Sequence, residues 1–256
     1  MLLVIEAGNS HITLGGYEGE TLVFVSDMLS DARKTRDQYI VAMKELMLLY
    51  GVTPEQVDGA IISSVVPELT GTIRDAVSVL CGIPALIVGP GVKSGLHIQI
   101  ENPAQLGSDI VACAVAALEH YGAPCIVCSL GTATVMSVID EKSRCCGAVI
   151  AAGVGTTQDG FTKRTALLPH VQIEPPKQVV GKNTVTSIQS GLVYGTAAMI
   201  DGLIARIREE ADCTFRVVAT GKMTDKIIPY CKEEIEICDY LLLEGLRLIY
   251  QRNQEK

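Results

Sequence analysis

Apolar positions switch between a two-residue period and a three-to-four-residue period along the chain. Short runs of the first kind predict strands over 2–6, 12–17 and 21–26, a meander with Gly15-Gly16 and Glu18-Gly19 as its turns. Helical spacing follows through Tyr39, Ile40, Met43, Leu46 and Met47, and Gly51 stops it. A buried strand over 59–65, a helix over 69–80 and a strand over 85–88 closed by Gly89-Pro90-Gly91 complete an α/β half. After an apolar helix over 109–120, the second half repeats the order, with strands at 125–130, 134–139 and 145–151. A helix over 187–210, a strand over 216–219 and a closing helix over 241–252 end the chain. The repeat predicts two α/β domains, 1–117 and 118–256, with the 109–120 helix as the crossover. No Ser/Gly linker separates them.

The repeat extends to a motif. Val4-Ile5-Glu6-Ala7-Gly8-Asn9-Ser10 and Val127-Cys128-Ser129-Leu130-Gly131-Thr132-Ala133-Thr134 each run an apolar strand into a glycine followed by hydroxyl or amide side chains. Such a glycine lets backbone N–H groups approach a phosphate, and Asn9, Ser10, Thr132 and Thr134 add neutral donors. Either copy alone also fits an ordinary hairpin turn. Occurring twice, the motif points to a duplicated phosphate-binding fold.

Composition narrows the partners. Hydrophobic residues make up 48% of the 256 positions, which excludes disorder. No apolar run approaches the roughly 18 to 20 residues of a membrane span, and Met1 to Ile5 reads as a strand instead of a signal peptide. The expectation is a cytoplasmic protein with no membrane partner. The nine cysteines are odd in number and mostly lie in apolar segments, which fits reduced, buried thiols. Cys125-Ile126-Val127-Cys128 has redox or metal-ligand spacing, but on a strand its two thiols share no face. A net charge of −8, no Trp and 4% aromatic residues argue against a nucleic-acid surface.

Segments along nearly the whole chain resemble the type III pantothenate kinase family: Glu6-Ala7-Gly8-Asn9-Ser10, Ser63-Ser64-Val65-Val66-Pro67, Gly89-Pro90-Gly91, Gly107-Ser108-Asp109, Leu130-Gly131-Thr132-Ala133-Thr134, Gly181-Lys182-Asn183-Thr184, Gln189-Ser190-Gly191 and Glu244-Gly245-Leu246. The resemblance implies a duplicated ribonuclease H-like fold of the actin, heat-shock-protein and sugar-kinase type. It implies ATP and Mg²⁺ as cofactors, pantothenate as substrate, and 4'-phosphopantothenate as the product that begins coenzyme A biosynthesis. It also implies a homodimer in which Thr184 reaches the partner's substrate, built on the 187–210 helix with Gly191, Gly195, Ala197 and Ala198 for close approach and Ile188, Leu192, Val193, Met199 and Ile200 for area. Residue by residue, Asp109 corresponds to the catalytic base, with Gly107, Ser108 and Ile110 beside the substrate. Glu6, Gly8, Asn9, Ser10 and His11 correspond to the first phosphate loop, Gly131, Thr132, Ala133 and Thr134 to the second, and Gly221 to the adenosine loop. Glu6 and Ser129 stand at the metal positions, Ser129 where the family ties a monovalent cation (K⁺ or NH₄⁺). Read without the family, Ser108-Asp109 ahead of an apolar helix is also good capping chemistry, and Lys182-Asn183-Thr184 also fits a turn and cap.

Several positions depart from the family pattern. Glu6 and Ser129 stand where Asp is usual, Ile110 where Arg is usual, Lys222 replaces a second glycine, and Ala152 replaces a Pro. The extra methylene of Glu6 moves its carboxylate outward by about 1.5 Å. Ile110 has no charged fork to offer a substrate. Three readings stay open on sequence: a pantothenate kinase, a kinase for another small hydroxylated substrate, and a non-catalytic or regulatory homologue.

Overall fold

The computed structural model describes residues 1–254. Its strands are β1 (Leu2–Ala7), β2 (His11–Glu18), β3 (Thr21–Leu29), β4 (Gly59–Ser64), β5 (Ala85–Ile87), β6 (His97–Ile98), β7 (Cys125–Leu130), β8 (Ala133–Ile139), β9 (Arg144–Ala152), β10 (Arg216–Thr220) and β11 (Glu236–Ile237). Its helices are α1 (Arg36–Leu49), α2 (Pro67–Cys81), α3 (Ser108–Tyr121), α4 (Val154–Arg164), α5 (Thr184–Ala211), α6 (Thr224–Ile227) and α7 (Leu241–Gln254). The chain forms two compact units. The first comprises Met1–Leu96, Glu101–Ala116 and the segment from Leu241 onward; the second comprises His97–Ile100 and Ala117–Tyr240.

In the first unit the sheet order is β3-β2-β1-β4-β5. β1 lies antiparallel to β2 and parallel to β4. Alternation sends Leu3, Ile5, Ala7, Ala60 and Ile62 to one face, where Tyr39, Met43 and Met47 of α1 and Leu69 and Ile73 of α2 close the core. The other face of β1 and β4 meets α7. There Gly245 lets α7 reach the backbone of α3, since a Cβ at 245 would overlap the carbonyl of Ala112.

The second unit repeats this plan. Its order is β11-β10-β7-β8-β9-β6, so β9-β8-β7-β10-β11 matches β3-β2-β1-β4-β5 in sequence order and strand sense. β6 is added at the edge, parallel to β9. Ile126, Cys128, Leu130 and Met136 pack against Ile188, Leu192, Val193, Ile200 and Ile204 of α5. Cys128 belongs to that cluster and Cys125 does not, as strand alternation requires. Both thiols are free, and burial pushes each up to about 12. They are core residues with no nucleophilic character at neutral pH.

The structure corrects several expectations. Gly15-Gly16 is not a turn: both residues lie inside β2, where Gly15 abuts Val4 and Gly16 the ring of Phe24. The turn is at Gly19, with φ +60. The closing helix joins the first unit, because its apolar residues Leu241, Leu243, Leu246 and Ile249 are buried there. α4 was not visible in the pattern, because Gly155, Thr156, Thr157 and Gly160 are weak helix formers. α5 starts at Thr184, three residues earlier than expected, because Asn183 caps it by accepting from the Thr186 N–H at 2.9 Å. Among the described residues α5 is also long and apolar enough to cross a membrane by length and composition, contrary to the sequence reading. Ile188, Leu192, Val193 and Ile200, expected to provide dimer area, are instead buried in their own unit.

Two glycines make opposite predictions. Gly245→Ala should destabilise the protein by about 2–3 kcal/mol, because the backbone of α3 has to move. Gly51→Ala, where open space surrounds the Cβ but φ is +71, should cost only about 1 kcal/mol of backbone strain. Urea unfolding midpoints at equal slope measure both; equal losses would contradict this account.

Candidate functional site

The first unit presents a glycine loop at the end of its central strand. The Gly8 N–H donates to the His11 carbonyl at 2.9 Å, closing a tight turn that leaves Asn9 and Ser10 exposed and His11 half-buried. Glu6 folds back over this turn: a Cβ on Gly8 would stand 2.9 Å from Glu6 Oε1. Ile12 takes no part, being fully buried in the core.

Asp109 stands in the first turn of α3, not at its cap. The Val111 N–H donates to the Gly107 carbonyl at 3.1 Å, which makes Gly107 the last residue before the helix. The Asp109 carboxylate lies over Gly107, where a Cβ would overlap Oδ1. Burial raises its pKa from the usual 3.8, and the N–H groups of Ile110 and Asp109 itself offset part of that rise. The side chain of Ile110 lies on the same side, its Cδ1 3.9 Å from where a Gly107 Cβ would be. Ser108 is turned elsewhere: its hydroxyl pairs with Ser63 Oγ at 2.8 Å and donates to the Ser64 carbonyl at 3.2 Å.

The second unit presents the matching loop after β7. Gly131 and Thr132 are exposed, and the Gly131 N–H donates to the Ala133 carbonyl at 3.0 Å. Gly153, the N-cap of α4, presses against this turn: a Cβ there would overlap Gly131 O, its N–H donates to Thr132 O at 3.1 Å, and Thr156 Oγ1 donates to the same oxygen at 2.6 Å. Gly221, with φ +107, approaches from the other side, a Cβ there falling 2.5 Å from Leu130 O. Ser129 is half-buried and Lys222 exposed. Thr134 is only 2% exposed, and its hydroxyl has no hydrogen-bond partner. It shares the core face with Leu130, its cross-strand neighbour, instead of projecting into the loop.

These features fit a phosphate-bearing ligand. Each unit ends its central strand in a tight glycine turn that bears exposed neutral polar side chains, Asn9 and Ser10 on the first and Thr132 on the second, while the Thr134 hydroxyl faces the core and takes no part. Glu6 is a single carboxylate, enough for a Mg²⁺ ion that keeps most of its waters and takes its other ligands from phosphate. Among the described residues no three His, Cys, Asp or Glu side chains are grouped as an all-protein metal site. The neutral Ser129 does not fit a dedicated monovalent-cation site. Thr184 lies apart from both loops in sequence, exposed at the start of α5, where it borders a hollow of about 430 Å³ with Phe161, Leu168, Ser187, Ile188 and Gly191.

The sequence model of the family described as Type III pantothenate kinase matches residues 2–206. The chain belongs to this family. Proteins named type III pantothenate kinase from Brevibacillus brevis and Halalkalibacterium halodurans are 43% and 39% identical to it, each over 99% of this chain and 100% of the relative. The one from Geobacter sulfurreducens is 39% identical over the full length of both. Among solved structures, the activator of the 2-hydroxyisocaproyl-CoA dehydratase from Clostridium difficile with bound ADPNP superposes with a TM-score of 0.60 at 12% identity, over 100% of this chain and 97% of that one. Component A of the (R)-2-hydroxyglutaryl-CoA dehydratase of Acidaminococcus fermentans gives 0.60 at 13% identity, over 100% and 99%. At such identities these two show the fold alone, the duplicated ribonuclease H-like fold of the actin and sugar-kinase type. In this chain Glu6 stands near the end of β1, Ser129 near the end of β7 and Ile110 in the first turn of α3.

Asp109 makes a linkage prediction. A carboxyl whose folded pKa lies above its unfolded value holds its proton more tightly when folded, so stability falls as pH rises from 3.8 through the folded pKa. Asp109→Asn should therefore raise the urea midpoint at pH 7 and lose that advantage below pH 3.8. A variant less stable than wild type at pH 7 would show that the carboxylate is stabilised in the fold, not strained.

Proposed function

We propose that this protein phosphorylates pantothenate with ATP to give 4'-phosphopantothenate, the first step of coenzyme A biosynthesis. Family membership over the full length supports the activity. The observation that carries the chemistry is the raised, partly buried Asp109 at the head of α3. A base that is desolvated takes up a proton more readily than one in water. In this reading Asp109 accepts the proton of the pantothenate primary hydroxyl as that oxygen attacks the γ-phosphorus, and ADP leaves with the bond to its β-phosphate oxygen. Asn9, Ser10 and the Gly8 turn take phosphate oxygens, His11 adds a donor, and Gly131 to Ala133 with Gly221 hold the nucleotide. A bound Mg²⁺ would supply charge neutralisation at the phosphates, and Glu6 is the residue that would orient its waters. With Ser129 neutral, the reading includes no dedicated K⁺ or NH₄⁺.

The same reading makes the protein a homodimer through α5. Gly191, Gly195 and Ala198 form an exposed small-residue stripe, and added Cβ atoms at both glycines meet nothing within 4 Å inside the chain. Thr184 begins this helix, exposed and positioned by the Asn183 cap. Nine free cysteines fit a reducing cytoplasm, and a net charge of −8 fits no nucleic-acid or membrane partner. Gly191→Leu with Gly195→Leu should yield a folded monomer by light scattering; a folded double variant that stays dimeric places the interface elsewhere.

Purified protein with ATP, Mg²⁺ and pantothenate should give the phosphorylated product by mass. Ile110 and Ser129 offer no charge where an anchor and a cation ligand would help. Glu6→Asp with Ile110→Arg and Ser129→Asp should therefore raise the rate at least about tenfold, the worth of one recovered charge-assisted hydrogen bond of about 1.5 kcal/mol. Asp109→Asn should abolish that gain. If the folded triple variant produces nothing above the blank, the chain is a binding homologue or a kinase for another hydroxylated substrate.

A further inference from the structure

The end of β4 holds a chain of hydroxyl groups that the phosphate-loop chemistry does not use. Ser63 is 1% exposed. It sits opposite Glu6 in the parallel β1–β4 register, which places both side chains on the same face of the sheet, away from the Ile5 and Ile62 core. Its hydroxyl pairs with that of Ser108, the first residue of α3, at 2.8 Å. Ser108 donates onward to the Ser64 carbonyl at 3.2 Å. A hydroxyl has one proton, so Ser63 is the donor to Ser108. The acceptor is itself held in place: Thr70 donates to Ser64 Oγ at 2.8 Å, and Ser64 Oγ donates to the Val66 carbonyl at 3.2 Å. Thr70 Oγ1 also lies 3.1 Å from the Val66 carbonyl, so hydroxyl contacts run from α2 through β4 to the head of α3.

A buried hydroxyl pair is a poor way to gain stability, because two apolar groups of the same shape can do about as well. Its distinctive contribution is direction and distance. We propose that Ser63 and Ser108 are positioning residues: their hydrogen bond locks the first turn of α3 to β4 and so sets where the Asp109 carboxylate stands relative to Glu6 on the adjacent strand. Asp109 follows Ser108 directly, and its carboxylate lies over Gly107, so a loosened first turn displaces it. The inference rests on the reading of Asp109 as the base.

Ser63→Ala, Ser108→Ala and the double variant test it, with two independent readouts. In the phosphorylation assay each single variant should lose about tenfold in kcat from a misplaced base, with the KM for ATP within about twofold. The double variant should be no worse than the singles, because both break one bond. Ser108→Thr, which keeps the hydroxyl, should recover most of the rate. Independently of turnover, amide hydrogen exchange at Asp109, Ile110 and Val111 should accelerate in both alanine variants and not in Ser108→Thr. Unchanged kcat, losses that multiply in the double variant, or unchanged exchange would each overturn the proposal. If wild-type protein shows no turnover, the proposed function fails and the exchange experiment alone decides the tether. If Ser63→Ala does not fold, Ser108→Ala, at a half-buried position, decides both readouts.

Discussion

Backbone approaching backbone is the constraint on which the rest of this molecule depends. Gly245 lets α7 lie on the peptide of Ala112, and Gly153 and Gly221 press on Gly131 and Leu130 from two sides. At each place a single methyl group would force one element away from the next, and interiors packed at crystal-like density have no room to absorb the shift. The consequence reaches the site directly. Ala112 belongs to the helix that carries Asp109, and Leu130-Gly131 is the turn that ends the central strand of the second unit.

Each acid of the candidate site in the first unit lies over a glycine. Glu6 folds over Gly8, two residues ahead, and Asp109 over Gly107, two residues behind. The glycine does more than permit a turn: it leaves the volume into which the carboxylate packs. That packing removes water from Asp109 and raises its pKa, a cost in stability borne by a group placed for proton transfer. The neighbouring Ile110 adds to the low-polarity surroundings and brings no counter-charge. An arginine at that position would lower the carboxyl's pKa by direct attraction, exchanging part of that rise for a charged substrate anchor.

The order of the longer strands and of most helices, the duplication and the turns at Gly8 and Gly131 were legible in the sequence, because period and turn chemistry are local properties that a window of ten residues records. Asp109 could be placed at the head of α3 for the same reason: an apolar helical run begins beside it. What the sequence did not determine is which neighbour each face meets. The apolar residues of α5 read equally well as dimer area or core, and only the sheet beneath them, with Ile126 and Met136, settles them as core. Thr134 has the composition of a phosphate donor, yet its register opposite Leu130 turns it inward. α7 follows the second unit in sequence and packs with the first, and Ser63 meets Ser108 across 45 positions. Such pairings depend on how distant segments fill a shared volume, and that is a property of the folded chain that no local pattern carries.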